Sequence, residues 1–499
     1  MHNPKDKDFL NQSESDLLLN RAKEVIPGGI FGHYKYAVRK DGPKFFSKAD
    51  GAYFWDVDGN EYVDLVCAWG PMILGYNNPI VDEAARKQLN LGNTVSIASP
   101  MMIELAETLV DLVSIADWSL FGKNGADSTS LAVMVSRQET GKQKILKIND
   151  GYHGSNSWMQ RHNSPGIINS DSAEVISIDW NDLDRFNQVI SDHGEDIACF
   201  ISSPYHHPTF KNNVYPNEGY WKHIEKVCHK NNIILIVDDV RTGFRIDLKG
   251  SNNFFGFSPD LICLGKAIAN GYPISALVGK DSLKESAEKV YFTGTQFLNS
   301  APMAAAKATI DELVKQDAVA KMNNFGNLLN ERLVKIAKDF DIKMVVSGVP
   351  AMPYFRIEDE DKTLHSRWVD VCLSKGLYLT DYHNHFISVA HEDEHLKKVE
   401  DIAFEGHGCA ISMASASIMT DMVRGKEEKE VKEIVTDFLG MIKEKDNLDN
   451  KILKEDEKTK LMSLSGVKQY PMRVKCATLS WHTLTSALDQ TNQVVKTEE

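Results

Sequence analysis

Short apolar runs that alternate with longer stretches of helical period constrain this chain more than any other feature. The runs are Trp118–Phe121, Lys144–Ile148, Val175–Ile178, Ala198–Ser202, Ile233–Val237, Leu261–Leu264 and Ser275–Val278. Helical spacing falls between them, at Ala126–Arg137, Trp180–Ser191, Glu218–Lys230 and Pro302–Lys315. This alternation predicts an α/β fold with a largely parallel sheet.

In such sheets ligands collect beyond the carboxyl ends of the strands. Asp238 follows the run Ile233–Val237, and Lys266 follows Leu261–Leu264 in the stretch Leu264-Gly265-Lys266-Ala267. A carboxylate and an amine at two strand ends can converge on one aromatic cofactor, the first at its ring nitrogen and the second at its aldehyde. Pyridoxal 5'-phosphate needs that arrangement. The amine of Lys266 would condense with the aldehyde as an internal aldimine and, once displaced by substrate, move the α-proton. Asp239 should point away from Asp238 if the strand geometry continues, and Val240 should pack beneath the ring.

The bulk properties narrow the class. A chain of 499 residues with 42% hydrophobic content suits two or three domains rather than a small binding module. A net charge of -14 argues against nucleic-acid binding, which needs clustered Lys and Arg. The polar, acidic start lacks the pattern of a signal peptide, and no apolar stretch is long enough to cross a membrane, so a cytoplasmic location is expected. Seven scattered cysteines without a Cys-x-x-Cys pair suggest neither disulfides nor zinc. His206, His207, His383 and His385 lack a further ligand at suitable spacing, so no metal is expected.

The first hundred residues read differently. Ala52–Asp64 predicts two strands around an Asp58-Gly59-Asn60 turn. Beyond residue 325, helices are expected near Asn327–Lys338 and Ser366–Lys375, with short strands at Met344–Val346, Met352–Phe355 and Phe386–Val389. From Gly425 the sequence alternates Lys and Glu, which reads as a solvated helix or a loose tail, and Tyr470–Glu499 carries no motif. Four regions are expected: 1–70, contributing to a small domain; 71–325, the large cofactor domain; 326–424, the C-terminal small domain; and 425–499, a charged extension.

Phosphate needs backbone donors. Phe121-Gly122-Lys123-Asn124-Gly125-Ala126-Asp127 runs from a strand through a Gly-containing turn into a helix, whose free N–H groups attract anions. Tyr152-His153-Gly154 follows the next strand, and an aromatic there could stack on a cofactor ring. Gly294-Thr295-Gln296 offers further small donors.

Taken in order, Trp55–Asn60, Trp69–Gly75, Asn124-Gly125-Ala126-Asp127, Tyr152-His153-Gly154, Asp238–Arg245, Leu264-Gly265-Lys266 and Gly294-Thr295 resemble the class III aminotransferases. Within that family they look most like the glutamate-1-semialdehyde aminomutase branch. The resemblance implies fold type I, with a mainly parallel seven-stranded sheet in the large domain and a smaller α/β domain. It also implies a homodimer with shared active sites, and pyridoxal phosphate bound to Lys266. By position, Asp238 matches the partner of the pyridine nitrogen, Tyr152 the stacking aromatic, and Asn124, Gly125 and Ala126 the phosphate loop. His153 and Val240 belong to the same cofactor set, and Thr295 matches the threonine that the neighbouring subunit supplies.

The chain also departs from the family. Asn124-Gly125-Ala126 stands where Ser-Gly-Thr is usual, Asp238-Asp239 where Asp-Glu is usual, and Ser202–Pro208 where many members carry Glu-Pro. The last change points to an altered substrate pocket. A mobile Gly- and Ser-rich lid, common to mutases after Tyr-His-Gly, is replaced by Ser155–His162. The reading is therefore an aminotransferase that moves an amino group between a small amino donor and a keto or aldehyde acceptor. An aminomutase, and a non-catalytic binding protein on the same fold, are the alternatives. Candidates for the substrate pocket are Tyr34, Lys35, Arg39, Trp69 and Arg161, with Arg245 as a further cation.

Overall fold

The run Ile233–Val237 becomes a strand buried along its whole length, as do its neighbours, because helices cover the sheet they form. In the computed structural model the described residues are 13–30, 32, 39, 42–160, 164–358, 363–405, 415, 418–420, 422–423, 426–443, 452–462, 464–465 and 471–488. The chain divides into two compact units, Met1–Ala403 and Phe404–Glu499.

The main sheet of the first unit contains β4 (Trp118–Gly122), β5 (Lys144–Ile148), β6 (Val175–Ile178), β7 (Ile197–Ser202), β8 (Ile234–Asp238), β9 (Leu261–Leu264) and β10 (Ser275–Gly279). Their order is β4-β10-β9-β8-β7-β5-β6. Strand β10 runs antiparallel to both neighbours, and the others are parallel. The expected mainly parallel seven-stranded sheet is thus present. Helix α1 (Gly125–Thr140) packs on one face, where Leu131, Ala132 and Val135 meet Cys199, Ile201, Ile234, Ile236, Leu261 and Cys263. The strand residues in this cluster lie two apart, as the pleat requires.

A second sheet joins distant parts of the chain. Strands β1 (Phe46–Asp50), β2 (Tyr53–Asp56) and β3 (Glu61–Asp64) form the hairpin region, and β13 (Leu377–Tyr378) adds to β3 in parallel. Asp56 holds the expected turn: its carboxylate accepts the N–H groups of Asp58 at 3.1 Å and Asn60 at 2.8 Å. A third sheet pairs β11 (Met344–Ser347) with β12 (Tyr354–Ile357), two residues later than expected.

Phe386–Val389 is not a strand. Its backbone N–H groups reach separate segments, Phe386 to Leu65 O at 2.8 Å, Ile387 to Ala351 O at 3.0 Å and Val389 to Ile73 O at 2.8 Å. An extended apolar run can therefore be satisfied without a single ladder partner.

The second unit corrects the reading of the charged C-terminal stretch as a solvated helix or loose tail. Helix Glu428–Lys443 buries Val431, Ile434, Val435, Phe438, Met441 and Ile442 at helical spacing, and leaves Lys432, Glu433 and Thr436 outside. Helix Pro471–Leu488 supplies Trp481, whose ring stacks on Phe438 with centroids 4.2 Å apart. The interleaved Lys and Glu had concealed an amphipathic period.

Candidate active site

Strands β8 and β9 lie side by side in parallel, with Asp238 opposite Cys263, so Asp238 and Lys266 leave the sheet at the same edge. The Asp238 carboxylate is buried. Its Oδ2 accepts a hydrogen bond from His153 Nδ1 at 2.6 Å, and its Oδ1 accepts the Val240 N–H at 3.1 Å. Asp239 faces elsewhere, accepting from Thr242 Oγ1 at 2.5 Å and from the Ser251 N–H at 2.9 Å.

Lys266 has a backbone φ of 44°, in the left-handed region that disfavours a side chain. The surrounding turn enforces it. Ile268 N–H bonds to Gly265 O, and the Asn270 side chain clamps Leu74 N–H at 2.8 Å and Gly75 O at 2.9 Å. Burial, reinforced by the nearby Arg241 guanidinium and opposed by Asp238, lowers the Lys266 amine to about 7. A near-neutral amine is what attack on a carbonyl requires.

At the helix α1 terminus, Gly125 has a steric reason to be glycine. A Cβ there would lie 2.8 Å from Val240 Cγ1, and one on Gly265 would lie 3.2 Å from the same atom. Val240 therefore packs between the two loops that carry the phosphate motif and Lys266. The N–H groups of the turn are partly used: Asp127 Oδ2 accepts those of Lys123 and Asn124, and Asn124 Oδ1 accepts that of Ala126 at 2.9 Å. Asp127 is thus directed to the backbone of the turn.

The remaining candidates divide. Tyr152 is 62% exposed, so its ring is open to a ligand face. Thr295 is exposed beside Gln296, which bonds Lys123. Trp69 is partly exposed and contacts Tyr382. Two proposed cations are engaged structurally. Arg39 bridges Asp370 at 2.5 Å and Asp381 at 2.7 Å. Arg245 is fully buried, donating to Ile387 O at 2.6 Å and to Gly70 O. These contacts correct the reading of both as substrate cations, because their hydrogen-bonding forks already hold other parts of the fold. Tyr34, Lys35 and Arg161 lie outside the described residues.

Comparison with known proteins decides the family. The aminotransferase class-III model matches residues 36–401. This chain is a class III aminotransferase. An aminopentol aminotransferase of Sphingopyxis macrogoltabida is 36% identical, covering 75% of this chain and 89% of the relative. A glutamate-1-semialdehyde 2,1-aminomutase of Legionella pneumophila is 31% identical, covering 78% and 98%. The solved Sphingopyxis sp. MTA144 FumI protein, in its PLP internal aldimine form, superposes with a TM-score of 0.76 at 34% identity, over 78% of this chain and 94% of that one. The aminomutase branch, which the motifs resemble, is therefore one of several that match. A NifU-like N terminal domain model matches residues 388–477, a stretch that includes Cys409 and Cys476.

The class III aminotransferase uses pyridoxal phosphate, and its residues fit that group. Asp238, backed by His153, offers an anion for a ring nitrogen; the Lys266 amine is held near its reactive form; and the lack of side chains at Gly125 and Gly265 lets the phosphate-motif loop and the Lys266 loop close on Val240. The Ala126 N–H, which donates to Asn124 Oδ1 at 2.9 Å, is a backbone donor of this turn for which a phosphate would compete. Among the described residues of the aminotransferase, no group of His, Cys, Asp and Glu is placed to hold a metal, and no helix is long and apolar enough to cross a membrane.

Sequence reasoning left Arg241 out of the site. It follows Asp238 by three residues, and its Nη1 contacts His207 Nδ1 at 2.8 Å and Asn384 Oδ1 at 3.1 Å. The sequence signal was its position in the same turn as the cofactor aspartate. The altered segment Ser202–Pro208 thus enters the aminotransferase site through His207.

Proposed function

We propose that this class III aminotransferase works between separate substrates, taking an amino group from a small donor and passing it to a keto or aldehyde acceptor. The convergence of Lys266 and the Asp238–His153 pair at one sheet edge carries this reading. Bound pyridoxal phosphate supplies an electron sink for a carbanion. In this reading Lys266 holds the cofactor and moves the α-proton, while Asp238 keeps the ring nitrogen protonated and His153 holds Asp238 in place. Tyr152 would cover the ring face, Val240 would pack beneath the ring, and Asn124, Gly125 and Ala126 would bind phosphate.

Two copies would complete the site, with Thr295 reaching the phosphate held by the partner. Its exposure, and that of Tyr152, supports the proposal. The four-region division groups residues 1–70 with 326–424; the β3–β13 pairing supports that grouping, whereas Met422 packs in the core of the C-terminal unit that begins at Phe404. A cytoplasmic location goes with this reading.

Aminomutase chemistry is the second reading, supported by the 31% identical relative. A half-reaction separates the two. Amino donor alone should release a keto or aldehyde product and leave the enzyme in the pyridoxamine form. Internal transfer with no released keto or aldehyde product would favour the mutase.

A further inference from the structure

Strands β5 and β7 are parallel neighbours, so the loops that follow them leave the sheet side by side. Between them lies a cavity of about 10 Å³, lined by Gly151 and His153 on one side and by Ser202, Ser203 and His207 on the other. That is about the space one water molecule fills. The second wall belongs to the segment 202–208, where this chain departs from the Glu-Pro common in the family.

Two ring nitrogens of the lining residues have no hydrogen-bond partner among the described residues, His153 Nε2 and His207 Nε2, and both atoms are shielded from solvent. The other nitrogen of each ring sets its role. A carboxylate oxygen, Asp238 Oδ2, accepts from His153 Nδ1 at 2.6 Å, which in the neutral ring leaves Nε2 as an acceptor. A guanidinium has only protons to give, so Arg241 Nη1 donates to His207 Nδ1 at 2.8 Å. Burial and the neighbouring guanidinium hold His207 well below the usual imidazole range, so the ring is neutral and carries its proton on Nε2. One wall thus offers an acceptor and the other a donor.

A third contact is at hand. A Cβ on Gly151 would lie 3.0 Å from Ile148 O and 3.1 Å from His153 Nε2, so both acceptors flank the space beside this glycine. Ile148 O takes the Gly151 N–H at 3.1 Å and keeps a second lone pair. A water there would receive one proton from His207 and give two, to His153 and Ile148, which uses its full hydrogen-bonding capacity. Asp150 and His206 also border the cavity but lie nearer solvent, Asp150 exposed and His206 half-buried against Trp180.

We propose that this cavity is a structural water site, and that its water joins His207 to His153 in one donor-to-acceptor chain: Arg241, His207, water, His153, Asp238. Each bond in such a chain polarises the next, so the chain directs and supports the anionic carboxylate at its end. His207 is then a positioning residue that acts on Asp238 through the water and His153. This gives the unusual segment 202–208 a role. The inference rests on the aminotransferase reading only for what Asp238 does with that support.

A crystal structure of the full-length, cofactor-free protein should show one ordered water about 2.7–3.2 Å from both Nε2 atoms. In Gly151→Ala the new methyl takes its place, and the water should be lost while the Arg241–His207 contact stays. Single-turnover deamination of an amino donor by the loaded enzyme should slow about 2- to 13-fold in this variant, the worth of one neutral hydrogen bond. His207→Leu should slow it by at least that factor. His207→Gln should recover most of the rate, because an amide has an acceptor for Arg241 and a donor for the water. Gly151→Ala combined with His207→Leu should be no slower than His207→Leu alone, since both break one chain.

A cavity without water, or a water bonded to only one of the two imidazoles, would overturn the proposal. Equal losses in His207→Leu and His207→Gln would reduce His207 to packing and overturn it too, as would losses that multiply in the double variant or an unchanged rate in Gly151→Ala. A wild type that never takes up the cofactor sinks the aminotransferase reading instead, and the cofactor-free crystals still decide the water site.

Discussion

His153 donates from Nδ1 to Asp238 Oδ2 across 2.6 Å, with both side chains buried. The contact fixes the direction of a carboxylate that would otherwise rotate about its own side-chain bonds. Asp238→Asn should therefore slow single-turnover deamination of an amino donor by about 10- to 150-fold, the value of one charge-assisted hydrogen bond. His153→Ala should slow it less, because the carboxylate remains while its orientation loosens. Stopped-flow absorbance of the cofactor measures both. Equal rates in wild type and Asp238→Asn would remove Asp238 from the chemistry.

Lys266→Ala should abolish covalent retention of pyridoxal phosphate and reduce turnover by at least about 10²- to 10⁴-fold, the usual contribution of a positioned acid or base. Borohydride reduction followed by peptide mass analysis reports the linkage. A reduced adduct on another lysine would refute the assignment.

The Lys266 amine also sets a pH dependence. Its value near 7 means that the neutral amine, the form able to attack an aldehyde, builds up through neutral pH. Cofactor capture by the cofactor-free protein should rise with pH and level off above about 8, rather than continue toward the ordinary lysine value near 10.4. The linkage to stability has the same sign. Between about 7 and that ordinary value the unfolded chain holds a proton that the folded chain has released, so stability rises with pH in this window. Lys266→Met should flatten that rise in urea unfolding of the cofactor-free protein.

Gly125→Ala should lower stability by about 1–3 kcal/mol through overpacking, because the new methyl meets Val240 Cγ1 at 2.8 Å. It should also weaken cofactor affinity, since relief of the clash moves the helix terminus. Adding Val240→Ala should recover part of the stability, a coupling of about 0.5–3 kcal/mol. Thermal melts of the four variants of this cycle give the answer.

Trp481→Ala should cost the C-terminal unit about 3–5 kcal/mol, because it removes a fully buried indole that stacks on Phe438 and donates to Ser415 Oγ at 2.8 Å. Limited proteolysis should then cut preferentially beyond Ala403, with the cofactor absorbance retained. Cleavage that begins within the seven-stranded sheet would contradict this.

Much of this architecture was legible because parallel strands are written as plain apolar runs. Lys144–Ile148, Val175–Ile178 and Leu261–Leu264 begin and end where the sequence placed them. Lys266 and Asp238 could be found because strand ends and reactive side chains coincide there. Arg39 and Arg245 misled because a sequence shows a cation without its partner, and their partners lie in distant segments. Arg241 was overlooked because its partners, His207 and Asn384, likewise come from distant segments and are visible only when the neighbours are assembled. The C-terminal helices were obscured by composition, since six buried apolar residues of Glu428–Lys443 are diluted among lysines and glutamates.

Strand β10 returns antiparallel to β9, so the chain from Gly265 to Ile274 turns back without a helical crossover. Lys266 therefore sits in a short connection anchored at both ends by the sheet, and Asn270 ties its middle to Leu74 and Gly75. Added residues elsewhere could be absorbed by helix ends and surface turns. Here even one would shift the amine relative to Asp238, which makes this connection unsuited to insertion, circular permutation or loop grafting when the enzyme is redesigned.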